Sequence, residues 1–345
     1  MLEDKANQGK EKIIYFELCR VIAIFCIMYQ HTGARGAEAW MYTESSWVYT
    51  TSIIGNIIGS IGVPMFWMVS GALLLSKNES WKNVYARRLP RIAGALIIFS
   101  VVKYFYMCMV QDRVGSVGDF FQRFYTQRVF VPYWFLYEYL GILLLLPFLR
   151  KMIQNLTEQE ERILFILILG WNILDNFSKI YLGYNFILNL HIENSLSYFI
   201  MGYLMEHCLM LRRSDRRGLW FHLGQAVLMT GGLYAWVHGQ RGLGSLLGIS
   251  MLLAISVYYL IRYIGEKHIW NSAVLYRSIL WCGRNVFGIF LIEDYLRNGT
   301  VIIYESLGPY ITAIPACCIW LLSVFLIGNI LVAGARKLPL LRKIL

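Results

Sequence analysis

Glu17-Leu-Cys-Arg20-Val-Ile-Ala-Ile-Phe-Cys-Ile-Met-Tyr-Gln-His31 sets three ionisable side chains into a run that is otherwise almost wholly soluble in lipid. At 3.6 residues per turn, the eleven steps from Arg20 to His31 place both on roughly one helix face, about 16.5 Å apart along the axis. Ile24, Ile27 and Met28 lie between them, and Glu17 stands one turn before Arg20, where a carboxylate can pair with it. Charge inside a helix of bilayer length is costly, and such groups face a polar cavity that has a job. For His31 the plainer reading is an amphipathic ring resting at the membrane interface.

The composition carries this reading outward. Of 345 residues, 57% are hydrophobic and only 15% charged, and the mean hydropathy is +0.51, outside the range of ordinary soluble domains. The apolar segments run near-continuously for about 17 to 25 residues rather than alternating over short strips, so the expected fold is an all-α polytopic bundle and not a barrel. Cys19, Cys26, Cys108, Cys208, Cys282, Cys317 and Cys318 fall mostly inside apolar runs with no paired loop spacing, giving neither a disulfide framework nor a metal site. The net charge of +11 is carried by short loops between apolar segments, which reads as membrane topology rather than nucleic-acid binding.

About ten spans follow, near 13–31, 52–76, 92–111, 133–149, 162–176, 195–211, 219–237, 244–264, 279–297 and 308–334. With a cytoplasmic amino terminus, inner segments and adjoining span ends hold 22 Lys and Arg against 7 on the outside, and Arg20, Lys103 and Arg284 fall within spans. That asymmetry places both termini on the cytoplasmic side of the cell membrane. The expected organisation is a single membrane domain, with residues 1–12 and 335–345 as tails around a bundle over 13–334. Glu17 and Arg20 exclude a cleaved signal peptide for the first span.

Several motifs lie along this frame. Gly55 and Gly59 are spaced for close helix contact, and Pro64 is expected to kink the second span. Arg87, Arg88 and Arg91 sit together just before the third span. Two readings stand for them: a positive-inside signal, or guanidinium forks that match phosphate oxygens. The outer segment 112–132 mixes arginine with phenylalanine and reads either as an interfacial helix over a cavity mouth or as an aromatic belt. Trp134 and Glu138 open the fourth span, and Ser70, Arg284 and Glu293 are further polar candidates for the cavity. Arg150-Lys151 reads as an orientation signal alone, and His191 and Glu193 as a solvated loop.

In order and spacing these motifs resemble the acyltransferase-3 family of membrane acyltransferases. The resemblance rests on Arg20 and His31 with ten residues between them, Glu17, Phe66 through Leu74, Arg88-Leu-Pro-Arg91-Ile92, Trp134-Phe135-Leu136, Tyr198 through Tyr203 and Gly288-Ile289-Phe290-Leu291-Ile292. Where relatives often carry His-Pro after that last run, this chain carries Glu293-Asp294.

What the resemblance implies is acyl transfer, commonly of acetyl, from cytoplasmic acyl-CoA to a hydroxyl of a glycan, a lipid-linked sugar or another exported acceptor. Arg87, Arg88 and Arg91 would then hold the CoA phosphates, and the pantetheine arm would pass Arg20, oriented by Glu17. His31 would act as general base, or as a transient acyl carrier. Arg20 would either donate to the thioester oxygen or position the arm. A ten-helix transporter or flippase is the alternative the buried charges leave open, though no pair of broken helices in two halves supports it.

Overall fold

The computed structural model describes residues 2–112, 114–178, 194–208, 211, 215–240, 250–267 and 272–345. The segment with His191 and Glu193 lies outside the described residues, as does Arg113. Among the described residues there is no strand, and each expected span contains helix. The long helices are α1 (Leu2–Gln30), α2 (Ser46–Gly59), α3 (Gly62–Leu75), α4 (Leu89–Val110), α5 (Trp134–Gln154), α6 (Glu158–Phe177), α7 (Asn194–His207), α8 (Arg216–Gln240), α9 (Ser250–Glu266), α10 (Ala273–Gly299) and α11 (Ala313–Ala335).

Four helical stretches among the described residues are long and apolar enough to cross a membrane by length and composition: Ser46–Leu75, Trp81–Val110, Val131–Gln154 and Ala313–Ala335. The second expected span is two helices, α2 and α3, separated at Ser60 and Ile61. Pro64 therefore falls in the first turn of α3, where its missing N–H costs no intrahelical bond, instead of kinking one long helix.

The chain forms two compact units, Met1–Leu73 with Leu156–Ala333, and Leu74–Asn155 with Gly334–Leu345. In the first unit α1 is the central element and packs against α2, α9 and α10. Residues 13–31 contain neither Pro nor Gly, so the helical ladder runs unbroken, and Ile14, Tyr15, Cys19, Ala23, Ile24 and Met28 are buried along it.

A polar staple fixes α1 to its neighbours. Glu206 of α7 accepts hydrogen bonds from the Tyr15 hydroxyl at 2.6 Å and the Tyr258 hydroxyl at 2.9 Å. Arg262 of α9 lies 3.7 Å from the same carboxylate and donates to the carbonyls of Met205 and, at 2.7 Å, Leu211. A buried ion pair is tolerable when most of its remaining donors and acceptors are met in this way; Arg262 Nε alone is buried without a hydrogen bond, 3.9 Å from Glu266. Elsewhere in the unit α3 and α7 cross with their backbones in contact. A Cβ on Gly71 would lie 1.6 Å from the Phe199 carbonyl oxygen, and one on Gly202 would lie 1.9 Å from that of Met68. Only glycine permits that approach.

In the second unit, the outer segment contains the short helix Val117–Gln122, held by Tyr104, whose hydroxyl donates to Asp119 at 2.7 Å. Phe120 and Phe124 pack against Tyr104, Cys108 and Val129.

Candidate active site

The end of α1 delivers His31. Its backbone N–H still bonds to the carbonyls of Ile27 and Met28, so the helical path reaches it. Thr32 then turns its hydroxyl back to the Tyr29 carbonyl at 2.6 Å, and Gly33 takes a left-handed backbone, φ +55°, that stops the helix. The Ala37 N–H donates to Thr32 Oγ1 at 3.0 Å and pins the following turn. His31 is thus held at a terminus whose chain reversal is fixed on both sides.

Its ring meets Glu293 of α10. His31 Nδ1 and Glu293 Oε1 are 2.6 Å apart, with the Glu293 side chain 1% exposed and that of His31 26%. Arg297, one turn on, donates from Nε to the other oxygen, Oε2, at 2.6 Å. It also donates from Nη1 to the His31 carbonyl at 2.5 Å and from Nη2 to Asp294 Oδ1 at 3.0 Å. A carboxylate held by a guanidinium is ionised and can only accept, so the shared proton belongs to Nδ1. The lone pair of Nε2 makes no hydrogen bond among the described residues, and the side chain that carries it is partly exposed. That is the arrangement of a general base: a carboxylate fixes the tautomer and stabilises the imidazolium that forms on proton uptake.

Glu17 and Arg20 pair as expected, Arg20 Nη1 to Glu17 Oε1 at 2.6 Å. The other oxygen, Glu17 Oε2, is buried without a hydrogen-bond partner. It lies against Gly283, where a Cβ would stand 2.2 Å away, so that glycine is what lets α10 come down on α1. Because α1 is continuous, Arg20 is about three turns, roughly 16.5 Å, from His31 along the axis.

The remaining expected cavity residues divide. Glu293 joins His31. Ser70, Trp134 and Glu138 are half-buried, and Arg284 is on an exposed face of α10, whereas its neighbour Asn285 is buried and donates to Asn329 at 3.2 Å. Arg297 is a residue of the site that sequence reading passed over. Arg297 stands at i+4 from Glu293, the spacing of a helix ion pair, which is the signal that points to it.

In the second unit the arginine cluster is largely satisfied from within. Arg88 Nε donates to Glu79 at 2.9 Å, and Arg150 Nη2 donates to the same carboxylate oxygen at 3.1 Å. Burial raises the Glu79 carboxyl, but these two guanidinium bonds outweigh it and hold the group below the ordinary carboxylate range. Arg91 donates to the carbonyls of Ile344 and Leu345 at 3.0 and 2.6 Å. Arg87 is exposed and has no partner among the described residues. Arg150 corrects its reading as an orientation signal: its side chain is 5% exposed and also donates to the carbonyls of Leu74 and Glu79, so it is an internal anchor. Among the described residues no group of three His, Cys, Asp or Glu could hold a metal ion.

A family model described as an acyltransferase domain matches residues 13–334. No curated protein and no solved structure matches the chain.

Proposed function

The chain belongs to the acyltransferase-3 family of membrane acyltransferases, and on that premise we propose that it moves an acyl group, acetyl in the simplest case, from acyl-CoA to a hydroxyl of a glycan or another exported acceptor. The observation that carries this reading is the His31–Glu293 pair with Nε2 unused. His31 Nε2 takes the proton of the acceptor hydroxyl as the new C–O ester bond forms, and returns it to sulfur as the C–S bond breaks. The donor supplies an activated acyl carbon, and the protein supplies the base, its orientation and a site to hold the partners.

Arg87 is the arginine whose donors are available for a donor phosphate. Arg88 and Arg91 contribute to that task only by exchanging Glu79 and the tail carbonyls for phosphate oxygens. The helices beyond the four apolar stretches complete about ten crossings of the cell membrane, with both termini cytoplasmic. Membership of the family speaks for acyl transfer over the transporter reading.

Labelled acetyl-CoA supplied to membranes containing the chain, with and without His31→Ala, tests the proposal. Ester-linked label in the glycan fraction is expected with the unaltered chain and falls by at least about 10²-fold in the variant, with membrane insertion unchanged. Transfer that survives His31→Ala refutes it.

A further inference from the structure

Resting on that reading, we infer that Arg297 is a positioning residue of the acyl-transfer site, which locks the His31–Glu293 pair and keeps the ring in its proton-accepting state. Three nitrogens of one guanidinium are spent on three different acceptors: Glu293 Oε2, Asp294 Oδ1 and the His31 carbonyl. The side chain is only 11% exposed, so these bonds operate with little competition from water. A residue needed only to neutralise Glu293 would not also have to grip the main chain of the histidine. By doing so, Arg297 fixes the separation between the ring and its carboxylate from both ends, since His31 is tied at Nδ1 and at its own carbonyl oxygen.

The charges give the second half of the argument. The charged and titratable groups on the elements at this end, among the described residues, are Glu293, Asp294, Tyr295 and Arg297 on α10, Arg35 and Glu38 in the turn after α1, Tyr304 and Glu305 on the helix Val301–Leu307, Tyr29 on α1 and Cys317 and Cys318 on α11. Arg35 and Glu305 face each other at 3.8 Å and largely cancel. Glu293 and Asp294 both bring negative charge to the neighbourhood of the His31 ring. Arg297 is the cation that opposes them, bonded to both. Its charge stands against theirs at the ring, through the same bonds that hold the carboxylate in place.

The test is the pH–rate profile of label transfer from acetyl-CoA in membranes carrying the full chain, for Arg297→Gln, Arg297→Lys and Asp294→Asn. Removing the cation in Arg297→Gln is expected to lower the maximal rate by about 10- to 100-fold and to move the acid limb about one pH unit upward. Arg297→Lys, which keeps charge but not the three-way grip, is expected to return the limb to its original place while the rate stays low. Asp294→Asn, which removes a negative charge, is expected to move the limb downward. An Arg297→Gln profile with its limb unmoved and only its amplitude reduced would overturn the inference, and should that variant fail to insert, an unmoved limb in Asp294→Asn would do the same. Loss of transfer in His31→Ala together with unmoved limbs would sink the role of Arg297 alone, whereas transfer surviving His31→Ala would sink the base itself.

Discussion

The His31 cluster of the first unit and the arginine cluster of the second are both dense in charge, but they spend it differently. Around His31, two carboxylates and one guanidinium bond to one another until a single functional atom is left over, the ring Nε2. Around Glu79, one carboxylate serves two arginines and backbone carbonyls take a third, leaving one exposed guanidinium, Arg87. In each cluster the candidate for chemistry is the group that the internal network does not consume. The rest of the network holds that group in place.

Breaking the first cluster has the larger consequence. Glu293→Gln places an amide beside Nδ1, and when its NH2 donates to that nitrogen the proton is forced onto Nε2 and the base is lost. Transfer is expected to fall by on the order of 10² to 10⁴, measured as ester-linked label per unit of inserted protein. An activity near that of the unaltered chain would mean that the carboxylate does not set the tautomer.

The second cluster is expected to break structurally before it breaks catalytically. Arg150→Ala removes a nearly buried cation from Glu79 and strips the Leu74 and Glu79 carbonyls of a donor, for a loss of about 3 kcal/mol. Thermal unfolding in detergent reads this as a midpoint lower by several degrees, and an unchanged midpoint would show that water replaces the guanidinium. The smallest effect sharpens the comparison most. Arg87→Ala touches no described bond, so its stability is expected to hold while the KM for acetyl-CoA rises about tenfold at constant kcat. A change in kcat with an unchanged KM would remove Arg87 from donor binding.

The legible part of this protein was the part written in single segments. Bilayer-length apolar runs mark helices because every backbone polar group in lipid must be bonded within its own element; each expected segment contains helix among the described residues, and four helical stretches are long and apolar enough to cross a membrane. The Glu17–Arg20 pair was legible for the same reason, being one turn apart on one helix. Arg297 was within reach of the same logic at i+4 from Glu293 but requires knowing that Glu293 is buried, which its sequence neighbours do not reveal.

What no segment could show is pairing across 262 residues: that Glu293 points its carboxylate at His31. Nor could it show that Arg150 is an anchor and Arg91 already engaged, since a short basic loop looks alike whether its charges face solvent, lipid phosphate or a carbonyl. The sequence by itself determined an α-helical membrane protein with a charged first helix and a histidine at its end, because hydrophobic length and helical periodicity are local quantities. Tertiary structure alone decided which charges cancel and which ring nitrogen is left to act, because hydrogen bonds over 2.6 Å are made by whatever the fold brings together, at any distance along the chain.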